Sequence, residues 1–198
     1  MTWVNEERIE LSTESEKALR DKGTILLCGS IDTDAVKGAA IDLLDVDNKA
    51  EAAYDHINLI INSPGGSCWD GFMLIDIMEL CKLPIHVTGL GGCCSMGFMI
   101  LCAGAKGHRK ITENTTLMCH QFSWWGAGKN HELVSRRKHE DYLNERLINH
   151  LIKNTKLDKK GVEKLLMPES DVWLLPHEAL KYGIVDEIIK TDTKKRKK

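Results

Sequence analysis

Residues 56–80, "HINLIINSPGGSCWDGFMLIDIMEL", contain a short apolar run, an abrupt proline–glycine break and a second, longer apolar run. The first run, 56–62, has the length of a strand and is largely apolar on both faces, as strands in covered parallel sheets are. "SPGGS" stops it sharply. A helix from about Trp69 to Leu80 follows, so the stretch predicts one β-turn-α unit whose turn is rich in glycine.

The same grammar recurs on either side. "TILLC" (24–28) predicts a first buried strand, and after it Asp32 or Thr33 would cap a helix carrying Val36, Ala39, Ala40, Leu43 and Leu44 on one face. "IHVTGL" (85–90) predicts a third strand, then a glycine- and cysteine-rich turn and a helix from Ser95. Three β-α units with crossovers of this length predict an α/β fold with parallel strands. Further on, Lys110–Ile111 and Leu117–Cys119 read as a short hairpin, and 122–129 as a loop bearing glycine and tryptophan. A long charged helix spans about 130–154, too polar all round to be core. A helix near 159–166, a strand at Trp173–Leu175, a helix at 176–182 and a strand near Ile184–Ile188 close the chain. Thr13 and Glu16 form a capping-box pattern for a short helix ending at Gly23.

Composition narrows the function. At 198 residues with 42% hydrophobic and 28% charged residues, the chain suits one soluble domain, expected at 24–190, between an N-terminal segment 1–23 and a basic, disordered tail 191–198. The net charge of −2 combines the five cations Lys194–Lys198 with a body of −7, which argues against a nucleic-acid surface. The start, "MTWVNEERIE", has no apolar stretch of a secretory signal, and the longest apolar run, 98–103, is far too short for a membrane span. The odd number of cysteines, seven, lies mostly in apolar runs without zinc-type spacing, so reduced thiols and a cytoplasmic location are expected, with no metal or cofactor.

Open α/β sheets place their sites beyond the carboxyl ends of the strands, where "NSPGG" and "GGCCSMG" stand. Ser95 there is either a helix cap or a nucleophile. Free N–H groups at the helix start, that of Met96 among them, and the N–H of Gly66 on the neighbouring turn would stabilise an oxyanion. His120, ending "TLMCH" (116–120), is the candidate base, and Asp171, just before "VWLL", is the carboxylate that would orient it. Cys94 offers a thiol alternative; Cys119 would face away from His120 by strand alternation. The remaining histidines read as surface or capping residues.

With these residues in place, the sequence resembles the ClpP family, the proteolytic subunits of the Clp protease, with the ClpP/crotonase fold. The matching segments run in order from about Thr24 to Ile189: "INSPGG" (61–66), Gly71, "CSMG" (94–97), "AGAKGHR" (103–109), "HQ" (120–121) and "ESDVWLLPHEALKYGIVDEI" (169–188). The resemblance implies a serine endopeptidase with Ser95 as nucleophile, His120 as general base, Asp171 as its carboxylate, and Gly66 and Met96 N–H groups as the oxyanion hole. It implies self-assembly into a heptameric ring or paired rings around the sites, with peptides or unfolded proteins as substrates. The stretch 122–154 corresponds to the family's handle, a strand and long helix through which rings stack. An AAA+ unfoldase is the partner the family suggests, although 1–23 lacks the apolar axial-loop pattern. Phe122 stands where the family usually has proline, Trp124 and Trp125 enlarge the start of the handle, and Cys93–Cys94 replace a small apolar pair. These departures suit a divergent or phage-encoded member. Two alternative functions share the fold: a non-catalytic ring subunit, and a crotonase-type acyl-CoA enzyme, which acidic residues at the glycine turns would favour.

Overall fold

The computed structural model of the protein describes residues 14–49, 54–123 and 125–190. Thr13 of the capping pattern, Trp124 and the basic tail lie outside them. After α1 (residues 14–20), the chain alternates as expected: β1 (Thr24–Cys28), α2 (Thr33–Lys49), β2 (Ile57–Ser63), α3 (Cys68–Leu80), β3 (Ile85–Cys94) and α4 (Met96–Ala103). β4 (Arg109–Thr112), β5 (Thr116–Cys119), α5 (Asn130–Asn154), α6 (Lys159–Leu165), β6 (Val172–Leu174), α7 (Pro176–Tyr182) and β7 (Glu187–Ile189) complete it. Asp32 supplies the cap of α2, its Oδ1 accepting from Ala35 N–H at 2.9 Å.

The strands order β1-β2-β3-β4-β7, all neighbours parallel, with β5 on β3 and β6 antiparallel to β5. One face is a continuous apolar layer: Ile25, Leu59 and Val87 share a register row, with Leu27 and Ile61 in the next. Against it lies α4, whose Phe98, Met99, Ile100 and Leu101 are all essentially inaccessible. Burying such a side chain is worth about 1.5–3 kcal/mol, so this eight-residue helix is held by packing and not by propensity. The other face is half-covered along β2 and β3. β1, read from sequence as buried, is an edge strand that alternates, with Leu26 43% exposed.

β3 departs most from expectation. It is ten residues long and changes partner midway: Val87–Gly89 pair with β4, while Gly92–Cys94 pair with β5. Between Ile61↔Gly89 and Ser63↔Cys93 the register with β2 slips, because β3 carries extra residues there. Gly91 supplies the required φ of 68°, and Asn62 Oδ1 accepts from Gly92 N–H at 3.0 Å. The expected hairpin between 110–111 and 117–119 is therefore not formed. β4 and β5 both run parallel to β3, and the turn between them, closed by Thr115 N–H to Thr112 O at 3.1 Å, moves the chain along β3 without reversing it.

The closing segment also shifts. β6 begins one residue earlier than predicted, and β7 starts only at Glu187 because Ile184 and Val185 are buried in the turn after Gly183. Asp186 is engaged by the buried Arg109, with Nη2 to Oδ1 at 2.7 Å and Nε to Oδ2 at 2.9 Å. No strand forms among the described residues of 122–129, where the handle strand was expected. α5 does match its predicted span, with its first half exposed and Leu143, Leu147 and Leu151 buried in its second. Nor are all the other histidines superficial. His150 is buried, its Nε2 2.9 Å from Met99 O.

His56, His86 and His108 stack across the amino ends of β2, β3 and β4, with ring centroids 4.0 and 3.8 Å apart. Burial, then the neighbouring His56, His108 and Lys110, pushes His86 down to about 4, against a weaker opposing pull from Asp55. A histidine depressed in the fold stabilises it fully above its unfolded value near 6.5, and that stability is lost as pH falls from there towards 4. Urea midpoints measured at pH 7.5 and pH 5 should fall further for the parent protein than for His86→Thr. At the β3 slip, Gly91→Ala should cost about 1–2 kcal/mol, since a Cβ would sit 2.9 Å from Asn62 Oδ1 at a left-handed φ. Thermal melting should show a drop of several degrees.

Candidate active site

Ser95 joins β3 to α4 with φ 52° and ψ −121°, the one non-glycine residue with positive φ among the described residues. Such a conformation costs about 1–3 kcal/mol and persists only where surrounding packing enforces it. The hydroxyl does not cap α4. The Ser95 carbonyl starts the helix instead, accepting from Phe98 and Met99 N–H at 3.0 and 3.2 Å. Oγ is turned out of the helix and lies 2.8 Å from His120 Nε2.

Strand register makes that meeting possible. β3 and β5 pair Cys93 with Leu117 and Cys94 with Met118, and Ser95 N–H continues the contact to Met118 O at 2.8 Å. His120, one residue beyond β5, is thereby carried alongside the β3–α4 turn. Gln121 Nε2 fixes the next step by donating to Met167 O at 3.0 Å and Pro168 O at 3.2 Å.

The glycine turn of 63–66 closes the other side. A Cβ at Gly65 (φ 100°) would stand 2.6 Å from Ser95 Cβ and 2.8 Å from Cys94 O, so no other residue permits the two turns to approach. Sequence reasoning singled out Gly66 and passed over Gly65, although the doubled glycine was the signal available. Gly66 bridges to Ile31, with Ile31 N–H donating to Gly65 O and Ser67 N–H to Ile31 O. The N–H groups of Gly66 and Met96 donate to no acceptor among the described residues. Gly66, Ser95, Met96 and His120 line one crevice of about 60 Å³, with Cys68, Met99, Phe122 and Leu147 among its other walls. The positive end of α4 is directed there, with no acid in its first turn to offset it.

Asp171 is exposed, and no hydrogen bond or ion pair joins it to His120 among the described residues. Its backbone is nevertheless close: Cys119 pairs with Val172 in the antiparallel β5–β6 ladder, so one more step of that register sets His120 opposite Asp171. The thiol alternative loses ground, because burial pushes Cys94 above its ordinary range and suppresses the thiolate. The seven cysteines are all free thiols. No group of three or more histidine, cysteine or acidic residues able to hold a metal ion occurs among the described residues, and none of their helices is long and apolar enough to cross a membrane.

The proteins that this chain resembles belong to one family. The family model described as Clp protease matches residues 7–192. The chain is 36% identical over 152 residues to the ATP-dependent Clp protease proteolytic subunit of Deinococcus radiodurans, covering 76% of this chain and 71% of that protein. It is 31% identical over 188 residues to the ATP-dependent Clp protease proteolytic subunit 2 of Parasynechococcus marenigrum, covering 91% and 93%. A similar subunit 2 from a Synechococcus strain is 30% identical over the same length. A family match over nearly the whole chain, on a mostly parallel α/β sheet, thus makes this chain a member of the Clp protease family and a ClpP-like serine-type peptidase.

Proposed function

We propose that the chain is an endopeptidase for unfolded polypeptides, with Ser95 as nucleophile, His120 as general base and Asp171 as the carboxylate that orients it. The observation that carries this reading is the 2.8 Å contact between His120 Nε2 and a strained Ser95 whose hydroxyl does no capping. A peptide carbonyl carbon placed over Ser95 Oγ directs its oxygen towards Gly66 and Met96 N–H. Oγ attacks as His120 takes its proton, and the oxyanion gathers charge against those two amides. The imidazolium then protonates the departing amine, leaving an acyl-enzyme on Ser95. A water that gives its proton to His120 hydrolyses the ester and restores the hydroxyl. Asp171 completes the set by rotating its side chain onto His120 Nδ1 when substrate or a neighbouring copy closes the site; catalytic hydrogen bonds commonly tighten in the occupied enzyme.

Assembly into a heptameric ring or paired rings belongs to the same proposal, with 122–154 as the stacking handle. In support, the first half of α5 is exposed, with Val134 51% and Tyr142 61% accessible, and Trp125 nearby is 90% accessible. The relatives' names describe ATP-dependent subunits, which supports an AAA+ unfoldase as partner. A non-catalytic ring subunit is the second reading, favoured by the outward Asp171 alone. The crotonase-type alternative gains nothing, since a serine stands at the glycine turn.

Fluorophosphonate labelling followed by peptide mapping should mark Ser95, and Ser95→Ala should lower hydrolysis of short fluorogenic peptides by about 10⁶-fold in turnover. Full activity in that variant sinks the assignment. Sedimentation of the same active sample should give a mass of many subunits, whereas an active monomer excludes the chamber. Asp171→Asn should reduce kcat by about 10⁴-fold while leaving KM near its parent value. An unchanged kcat would remove Asp171 from the machinery.

A further inference from the structure

Two cavities meet at the Ser95 crevice and differ about tenfold in size. The inner one, about 60 Å³, holds Ser95, His120 and the two free amides. The outer one, about 570 Å³, opens from it between the start of α3 and the exposed half of α5. Phe122 belongs to the walls of both. It lies two residues after His120, and both line the inner crevice. Its N–H donates to Asn144 Oδ1 at 2.7 Å, which ties this partition to α5, and its ring packs against the core.

We infer that Phe122 is a specificity-determining residue that restricts the substrate side chain beside the scissile carbonyl to small aliphatic groups and excludes aromatic ones. The inference rests on Ser95 being the nucleophile. The residue whose carbonyl is attacked must place its Cα within the inner crevice, and its side chain has only that space. An apolar cavity of about 150 Å³ is what a benzene ring needs. A space of 60 Å³, walled by Cys68, Met99, Phe122 and Leu147, accommodates a methyl or isopropyl group and not a benzyl group. Gly66, Cys68, Phe122 and Ser123 line both spaces, and Phe122 carries the largest side chain of the four. Truncating this ring therefore joins the two spaces and admits the larger side chain. The outer cleft itself, with Trp69 and Leu143 in its walls, takes bulky neighbouring residues of the same extended polypeptide.

Peptidyl diphenyl phosphonates that differ only in the side chain next to phosphorus, methyl or benzyl, test this on the full chain without requiring turnover. The methyl probe should label Ser95 at least about tenfold faster than the benzyl probe. In Phe122→Ala the benzyl probe should gain at least about tenfold relative to the methyl probe, and Phe122→Leu should fall between. A small fluorophosphonate without a peptide should label Ser95 in all three proteins, which reports that each retains a competent nucleophile, and the benzyl-to-methyl ratio within each protein is then the readout. In parallel, digestion of a reduced and alkylated unfolded polypeptide by the parent protein should yield new carboxyl termini at alanine or valine and none at aromatic residues. Equal labelling by both phosphonates, or abundant aromatic termini, overturns the inference while leaving Ser95 as nucleophile. Failure of the simple fluorophosphonate to label Ser95 overturns the nucleophile assignment, and the inference with it.

Discussion

The hydrogen bond from Gly92 N–H to Asn62 Oδ1 marks the place on which the active-site geometry depends. A strand that kept its register with β2 would keep β4 as its neighbour to the end. The slip at Leu90–Gly92 instead bends β3 away, and its last three residues take β5 as partner. Among the described strands, only β5 is followed directly by a histidine. The meeting of Ser95 with His120, side chains separated by 25 residues, is thus the consequence of an irregularity in one strand. Bulges of this kind are known to re-aim side chains beside sites, and here one re-aims a whole strand end.

Bending β3 would achieve little if the turn after it could relax. Ser95 is held at a φ that a residue with a Cβ resists, and relief would require α4 to move. That helix cannot move cheaply, because seven of its eight residues are buried, from Met96 through Cys102. Met96 is wedged against Gly71 of α3, where a Cβ would come within 2.2 Å of its Cγ. Gly65 presses from the other side. Apolar packing worth several kcal/mol thereby overrides a local conformational cost of about 1–3 kcal/mol. The product is a hydroxyl held out of the helix cap it would otherwise occupy.

Much of this is legible in the amino-acid sequence. Apolar runs of strand length followed by glycine breaks and helical periodicity define the three β-α units, and α5 is bounded by composition alone. Local pattern failed where the deciding partner is distant. Two four-residue strands separated by a tight turn look like a hairpin, since nothing in Thr112–Thr116 reveals that both lie on β3. His150 looks superficial on a polar helix, yet the carbonyl of Met99, 51 residues away, receives its ring nitrogen. Phe122 is an ordinary apolar residue in a loop until two cavities are seen to share it. Ser95 remained ambiguous between cap and nucleophile because both occupy the first position of a helix. What separates them is a dihedral angle, and composition does not carry one.

Asp171 is the residue at which sequence pattern and side-chain geometry part, and the β5–β6 ladder explains how both stand together. The ladder pairs Cys119 with Val172, Met118 with Trp173 and Leu117 with Leu174, so its antiparallel register leads directly to His120 facing Asp171. Directly opposed residues on such a ladder have Cβ atoms about 4.5–5.5 Å apart, within reach of a carboxylate and an imidazole. The proposed triad therefore calls for a change of the Asp171 rotamer. The exposed position of Asp171 lets its carboxylate stay hydrated while the site is open, at no cost of desolvation. In the proposed mechanism, once His120 becomes an imidazolium, the attraction between the two charges rises as water is excluded, so the contact gains strength at the stage of the reaction that requires it.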